Sequence, residues 1–392
     1  MKINSLPGLI SIIVSVVFWV CTSNDHAFAQ PLQIQSGTKT FQVGPQRNIK
    51  TIAEAARLVK PGTTIEVDSG VYAGDVAVWQ RDNITLRAVG GRVRLQANGA
   101  AAEGKGIWVV RAKGMRVEGF DFEGAIVPSR NGAGIRLDSG SLIVKDCGFF
   151  LNEIGLLTNN DPDTVLEVED SEFAYNMRPD GHNHNLYVGA IARLSVTGSY
   201  FHHATVGHLL KSRAAVNHIF YNRLTDEDGG RASYELEFPN GGVAYVVGNQ
   251  IQQGPGTENR TLISFGAEGY IRANNALYLV GNTLVDDFGS WGQWLAIRPP
   301  TQRGPNGTAA RVTVKAMNNL LVGGGQLKLD LPADLRNNVN VSKSVFVDPT
   351  RHDYRLRNPA HPPMQPVDPD TANGVDLRPK REYVPLRQTR DL

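Results

Sequence analysis

Cysteine is nearly missing from this chain. Only Cys21 and Cys147 occur in 392 residues, and Cys21 falls within an N-terminal leader. A chain left with Cys147 alone has no intrachain disulfide, even in an oxidising compartment, so burial must hold the fold. Cys147 itself reads as a small core filler. Charge of one sign is also scarce, the formal net charge being +2. That argues against the basic stripe that phosphate backbones require, and so against nucleic acid. No apolar run beyond the leader is long enough to span a bilayer. Aromatics make up 8% of residues. What is present is ordinary: 41% apolar residues, enough for a sizeable core, and 41 glycines, which suit many tight turns.

The leader has the form of a secretory signal peptide. Lys2 supplies positive charge, Leu9 to Val20 is apolar apart from Ser11 and Ser15, and Ala27-Phe28-Ala29 is a small-x-small cleavage site. Residues 1–29 are therefore expected to be removed, leaving a secreted or periplasmic protein that starts at Gln30. Phe18-Trp19-Val20 is too bulky before Cys21 to favour a lipoprotein site.

A repeat fills most of the rest. Its pattern is apolar-x-apolar-x, then Gly or a small residue, then Asn, Asp or Ser, then an apolar residue. Examples are Met115 to Phe122, Leu142 to Phe149, Leu166 to Phe173, Leu194 to Phe201, Asn217 to Leu224, Ala244 to Ile251, Leu277 to Leu284 and a looser Val314 to Leu320. Successive copies lie roughly 23 to 37 residues apart, which is solenoid spacing. Alternation inside each copy is a strand signal. Second short strands lie between copies, such as Gly134-Ile135-Arg136-Leu137 and Asn185-Leu186-Tyr187-Val188. Two or three short parallel strands per coil predict an all-β, single-stranded right-handed parallel β-helix over residues 30–350. Asn222, Asn249, Asn282 and Asn318 are expected to stack as a structural column. Ile49 to Leu58 has helical spacing, and a short helix there would cap the first coil. Residues 351–392 read as a Pro- and Arg-rich tail, extended over the surface or disordered.

Ile49 to Ala56, followed by Lys60-Pro61-Gly62 through Tyr72, resembles the N-terminal signature of the pectate-lyase-like β-helix superfamily. Phe346-Val347-Asp348-Pro349 and Asp353 to Leu356 look like its last coil. The resemblance implies the fold and a carbohydrate-active protein, but that fold carries lyases, hydrolases, epimerases and adhesins alike. The cadence from Lys211-Ser212-Arg213 to Asn222, then Leu236 to Asn240, is similar to chondroitinase B and related alginate lyases. Those enzymes use a Lys and an Arg on neighbouring coils, with calcium held by carboxylates. By that likeness Arg213 lies about where their Lys would be, Glu237 about where their Arg would be, and His208 where a calcium-binding Glu is expected.

The densest polar stretch is Asp180-Gly181-His182-Asn183-His184-Asn185-Leu186-Tyr187. With Leu186 and Val188 inward, alternation sends Asn185 and Tyr187 outward. With Tyr234, Leu236 and Phe238 inward, Glu235 and Glu237 point out. Successive coils lie about 4.8 Å apart, so Asn185, Tyr187, Lys211, Arg213, Glu235, Glu237 and some of His182, His184, His202, His203 and His208 would form one patch. Such residues suit β-elimination on a uronate polymer. Arg213 or Lys211 would neutralise the carboxylate as it becomes enolate-like, His184, Lys211 or Tyr187 would take the proton, and Tyr187 or a His would protonate the leaving oxygen. Glu235 and Glu237, about 7 Å apart on one strand, are compatible with an inverting hydrolase. With Asn240 they also form an oxygen set for calcium. Otherwise no cofactor or metal is implied. The remaining substrate-binding candidates are Asn183, Asn185, His208 and Asn240, together with Trp291 and Trp294, which would stack on sugar rings near Arg298 or pack a loop.

The sequence therefore favours an exported lyase on an acidic polysaccharide. The alternatives are a C5-epimerase, a glycoside hydrolase of the same fold, and a non-catalytic carbohydrate-binding or exopolysaccharide-export protein.

Overall fold

The structure, a computed structural model, describes residues 40–178, 183–289, 291–300, 310–358 and 365–392. The leader and His182 lie outside them. Among the described residues twenty-seven strands stack in parallel, those of the middle coils pairing with both the coil before and the coil after. Each regular coil contributes three strands. One row runs through Val165–Glu169, Arg193–Thr197, Val216–Phe220 and Val243–Val247. A second runs through Glu172–Ala174, Tyr200–His202, Arg223–Thr225 and Gln250–Gln253. The third runs through Ile154–Thr158, Leu186–Val188, Leu210–Ser212, Leu236–Phe238, Thr261–Phe265 and Gln293–Ile297. Parallel neighbours require a crossover each time, and the crossover is right-handed, as for nearly all such connections.

The repeat pattern works because the same position in each coil fills the same part of the core. Phe122, Phe149, Phe173 and Phe201 stack with ring centroids 5.1, 4.4 and 4.7 Å apart. At the next turn a polar ladder replaces the rings. The backbone N–H of Asn222 donates to Asn249 Oδ1 at 2.9 Å, Asn249 to Asn282 and Asn282 to Asn319 likewise, and Asn319 Nδ2 reaches Asn338 Oδ1 at 2.7 Å. The expected column is thus present, but Asn319 rather than Asn318 occupies its fourth rung. Asn318 has φ 57° and turns outward, where its amide bonds to the backbone of Val367. Toward the N-terminus the ladder passes to Ser199, Ser171 and the backbone of Cys147. Cys147 is fully buried, and burial pushes its thiol up to about 12. It is a core residue at the foot of the ladder.

Helix Ile52–Leu58 covers the first coil. Thr51 Oγ1 accepts the Glu54 N–H at 3.1 Å, capping the helix, and the Glu54 carboxylate accepts the Lys50 N–H at 3.0 Å. Ile52 and Ala55 are buried against the core, so the otherwise open strand edge is closed. At the other end, Phe346–Asp348 and Asp353–Leu356 form an antiparallel hairpin with Phe346 and Tyr354 buried. The tail is ordered in its described part and runs back along the solenoid. Asn373 bonds to Tyr245 Oη, the Lys380 N–H to Tyr221 Oη, and Arg387 to the Cys147 carbonyl and to Asp146. Its Leu377 and Tyr383 are buried, Leu377 against Tyr245, Val247 and Val280 of the solenoid. These contacts fall beside the first and second rows.

Candidate active site

The third row carries the site. Its register aligns Arg136, Leu157, Tyr187, Lys211, Glu237, Ser264 and Ala296 as one outward column, one residue per coil. Alternation along each strand keeps Leu186, Leu210 and Leu236 inward.

Lys211, on the strand Leu210–Ser212, and Arg213, just past its end, converge on a single carboxylate. Lys211 Nζ lies 3.0 Å from Glu268 Oε1. Arg213 Nη1 lies 2.7 Å from Glu268 Oε2, and its Nη2 donates to Oε1 at 3.0 Å. The same guanidinium donates through Nε to Tyr187 Oη at 3.1 Å and through Nη1 to Asn240 Oδ1. Asn240 is held by the Gly269 carbonyl. Beneath this layer Lys211 Nζ is also 2.9 Å from Glu237 Oε2, which His208 Nε2 reaches at 2.9 Å. His184 packs beside Tyr187 and His208, its Nδ1 accepting the His208 backbone N–H at 2.9 Å.

Electrostatics follow from these contacts. The hydrogen bond from Arg213, aided by Lys211 against burial, holds Glu268 at about 2. Burial opposes the charges on Glu237 and Lys211, but His208 and Lys211 outweigh it for Glu237, and Glu237 and Glu268 outweigh it for Lys211. Glu237 is therefore lowered and Lys211 raised. Burial lowers His208 despite Glu237, leaving a neutral imidazole on an ionised carboxylate. At neutral pH the two cations stay charged, and among the described residues the exposed carboxylate they hold is Glu268.

Among solved structures, the chain is similar to pectate lyase Pel9A, with a TM-score of 0.53 at 13% identity over 80% of this chain and 83% of that one. The fold is a right-handed parallel β-helix, as in that structure. A PL6 family alginate lyase, AlyGC, aligns at 13% identity over 78% of this chain and 48% of its own, with a TM-score of 0.31. No family model matches the sequence, and no curated protein matches it.

The β-helix separates residues that simple alternation puts together. At the corner before each third-row strand, two successive residues turn inward: Asn185-Leu186, Leu209-Leu210, Glu235-Leu236 and Leu262-Ile263 are all buried. Counting by twos across that corner fails. Asn185 is a rung of a second internal ladder with Asn152 and Asn176. Tyr234, expected inside, packs edge-on against His208 at 5.1 Å. Glu235 lies inside the coil with both oxygens lacking a hydrogen-bond partner, so it forms neither a carboxylate pair nor an oxygen set with Glu237 and Asn240. Among the described residues no group of three His, Cys, Asp or Glu is arranged to hold a metal. The same corner takes Trp294 into the core, while Trp291 is exposed. Arg298 bonds to the Ala267 carbonyl and steadies the loop that bears Glu268. Asn183 donates to the Glu153 carbonyl at 2.6 Å. His202 and His203 belong to the second row, against Glu172 and the Asp228 carbonyl, away from the site. Glu268 itself carries no repeat signal. It sits in the loop between strands Thr261–Phe265 and Asn274–Val280, where sequence spacing says nothing about side-chain direction.

Glu235 gives a stability prediction. Burial, reinforced by Asp226, pushes its carboxyl well above the ordinary range, and burial raises Asp226 to about 6. An unfolded Glu ionises near about 4.3, so between that pH and the folded value the unfolded chain binds fewer protons and folding weakens as pH rises. Glu235→Gln is expected to raise the thermal midpoint at pH 8 and leave it nearly unchanged at pH 4. Equal midpoints for both proteins at pH 8 would show that Glu235 is not a buried acid.

Proposed function

We propose that this protein is an exported lyase that cleaves an acidic polysaccharide by β-elimination, with Tyr187 exchanging the proton and Arg213 and Lys211 binding the uronate carboxylate. One observation carries the reading: Arg213 grips a carboxylate bidentately and, through its remaining N–H, the Tyr187 hydroxyl. A uronate carboxylate replacing that of Glu268 would set the carbon beside it near Tyr187 Oη. The Tyr187 oxygen, oriented by the hydrogen bond from Arg213 Nε, takes the proton from that carbon. The electron pair forms the new carbon–carbon double bond, the glycosidic carbon–oxygen bond breaks, and Tyr187 returns the proton to the leaving oxygen. Lys211 and Arg213 offset the charge that builds on the carboxylate. His184 and Glu237 hold Tyr187 and Lys211 in place. The leader supports export.

The test is ultraviolet absorbance of the unsaturated product when purified protein is incubated with polygalacturonate, alginate and glycosaminoglycans, with and without calcium. A signal lost in Lys211→Ala supports elimination. Exchange of the carbon-bound proton without absorbance would mean epimerisation, and binding with neither would mean a carbohydrate-binding protein. Glu268→Ala is expected to lower KM several-fold, because the substrate no longer competes with an internal carboxylate. A raised KM would instead make Glu268 part of the binding surface.

A further inference from the structure

The loop between strands Thr261–Phe265 and Asn274–Val280 brings Glu268 to Lys211 and Arg213. Further along the same loop stands Arg272. The loop is braced along its length. Tyr270 lies across it, so close that a side chain at Gly266 would strike its ring, and its hydroxyl donates to the Arg298 carbonyl at 2.5 Å. The Glu268 N–H donates to the Pro239 carbonyl at 2.9 Å, and Asn275 Nδ2 donates to the Arg272 carbonyl at 3.0 Å. Arg272 is therefore placed as firmly as Glu268.

Its surroundings differ from those of the other two cations. Burial opposes the charge on Lys211 and Arg213, but Glu237 and Glu268 outweigh it for Lys211, and Glu268 and Tyr187 outweigh it for Arg213, so both are raised. For Arg272 burial acts alone and lowers it. Among the described residues no carboxylate forms an ion pair with it. Its Nη2 donates to the Arg213 backbone carbonyl at 3.2 Å, while its Nη1 is buried and has no hydrogen-bond partner. A guanidinium in such a place still keeps its proton at neutral pH.

A buried donor without an acceptor and a partly buried charge without a counter-ion both cost stability. A clamp on the Arg213 carbonyl needs neither, because a neutral donor would serve. Departures of this kind are expected where function requires them. The reaction supplies the requirement. A uronate carboxylate carries one negative charge when it binds and approaches two as the carbon beside it loses its proton. Lys211 and Arg213 are held by carboxylates already in the resting site. The charge of Arg272 is not, and in low-dielectric surroundings it acts on negative charge that develops later.

We propose that Arg272 is a positioning residue for the elimination: it fixes the backbone of Arg213 and lends the carboxylate site a positive charge that counts in the transition state rather than on binding. The proposal rests on the reading of the site as one for elimination on a uronate polymer.

The test compares full-length Arg272→Gln and Arg272→Lys with the unsubstituted protein on polygalacturonate, alginate and glycosaminoglycans. Product is followed by absorbance, exchange of the carbon-bound proton in deuterated water, and stability by the thermal midpoint. Both variants keep a donor for the Arg213 carbonyl, and only the lysine keeps the charge. Arg272→Gln is expected to lower kcat about tenfold at unchanged KM, with a thermal midpoint equal to or above that of the unsubstituted protein. Arg272→Lys is expected to recover most of that loss. Rate lost without stability lost is not what a structural clamp gives. An unchanged kcat in Arg272→Gln would overturn the proposal and leave elimination standing. Equal losses in the two variants would overturn it too, because the shape of arginine and not its charge would then matter. Arg272-dependent exchange without product would keep the role of Arg272 and make the reaction an epimerisation. Neither product nor exchange in the unsubstituted protein would overturn elimination, and the role of Arg272 with it.

Discussion

Tyr187→Phe is expected to reduce kcat for unsaturated-product formation about 10³-fold while changing KM little. The substitution removes one oxygen and keeps the ring that packs on Leu157 and His184. Arg213 loses the acceptor of its Nε–H, but its bidentate hold on a carboxylate uses the other two nitrogens. Binding should therefore survive and proton transfer should not, which is the signature of a group that acts only in the transition state. Arg213→Ala should differ by raising KM and lowering kcat together, because one guanidinium serves both the carboxylate and the hydroxyl. Parallel steady-state kinetics separate the two roles. A Tyr187→Phe enzyme with normal kcat would move proton transfer to another residue, and Lys211 would be the next to test.

How far the site was legible follows from where each residue sits. Tyr187, Lys211 and Glu237 lie within third-row strands, where alternation holds, and their outward direction and common column could be read from Leu186, Leu210 and Leu236. Asn185 and Glu235 stand one residue before the regular strand, at the corner with two inward residues, so the same rule gave them the wrong face. The signal was present but weak: Leu209-Leu210 and Leu262-Ile263 are apolar pairs where a strict alternation would place a polar residue. Glu268 was illegible because loops have no period. The fold was legible because its strands repeat, and because a stack of aromatic and asparagine rungs demands the same residue type at the same place in each coil.

That demand makes the ladder the most sensitive structural feature. Asn249 is 1% exposed and its side chain makes four hydrogen bonds to three residues. Its Nδ2 donates to the Ile219 carbonyl at 2.8 Å and to Asn282 Oδ1 at 2.9 Å, and its Oδ1 accepts from the backbone and side-chain nitrogens of Asn222 at 2.9 and 3.0 Å. Asn249→Ala removes a partner from the buried Ile219 carbonyl and from the backbone and side-chain N–H groups of Asn222 on the preceding coil, each costing about 1–3 kcal/mol, partly relieved if water enters. The expected loss is about 3–5 kcal/mol. Asn249→Leu should be no better, because restoring volume does not restore the bonds. Asn318→Gly keeps the left-handed turn and loses contacts to the tail, so it should cost about 1 kcal/mol. Chemical denaturation of the three variants checks the ordering. If Asn318→Gly were as damaging as Asn249→Ala, the docked tail, rather than the internal ladder, would be holding adjacent coils together.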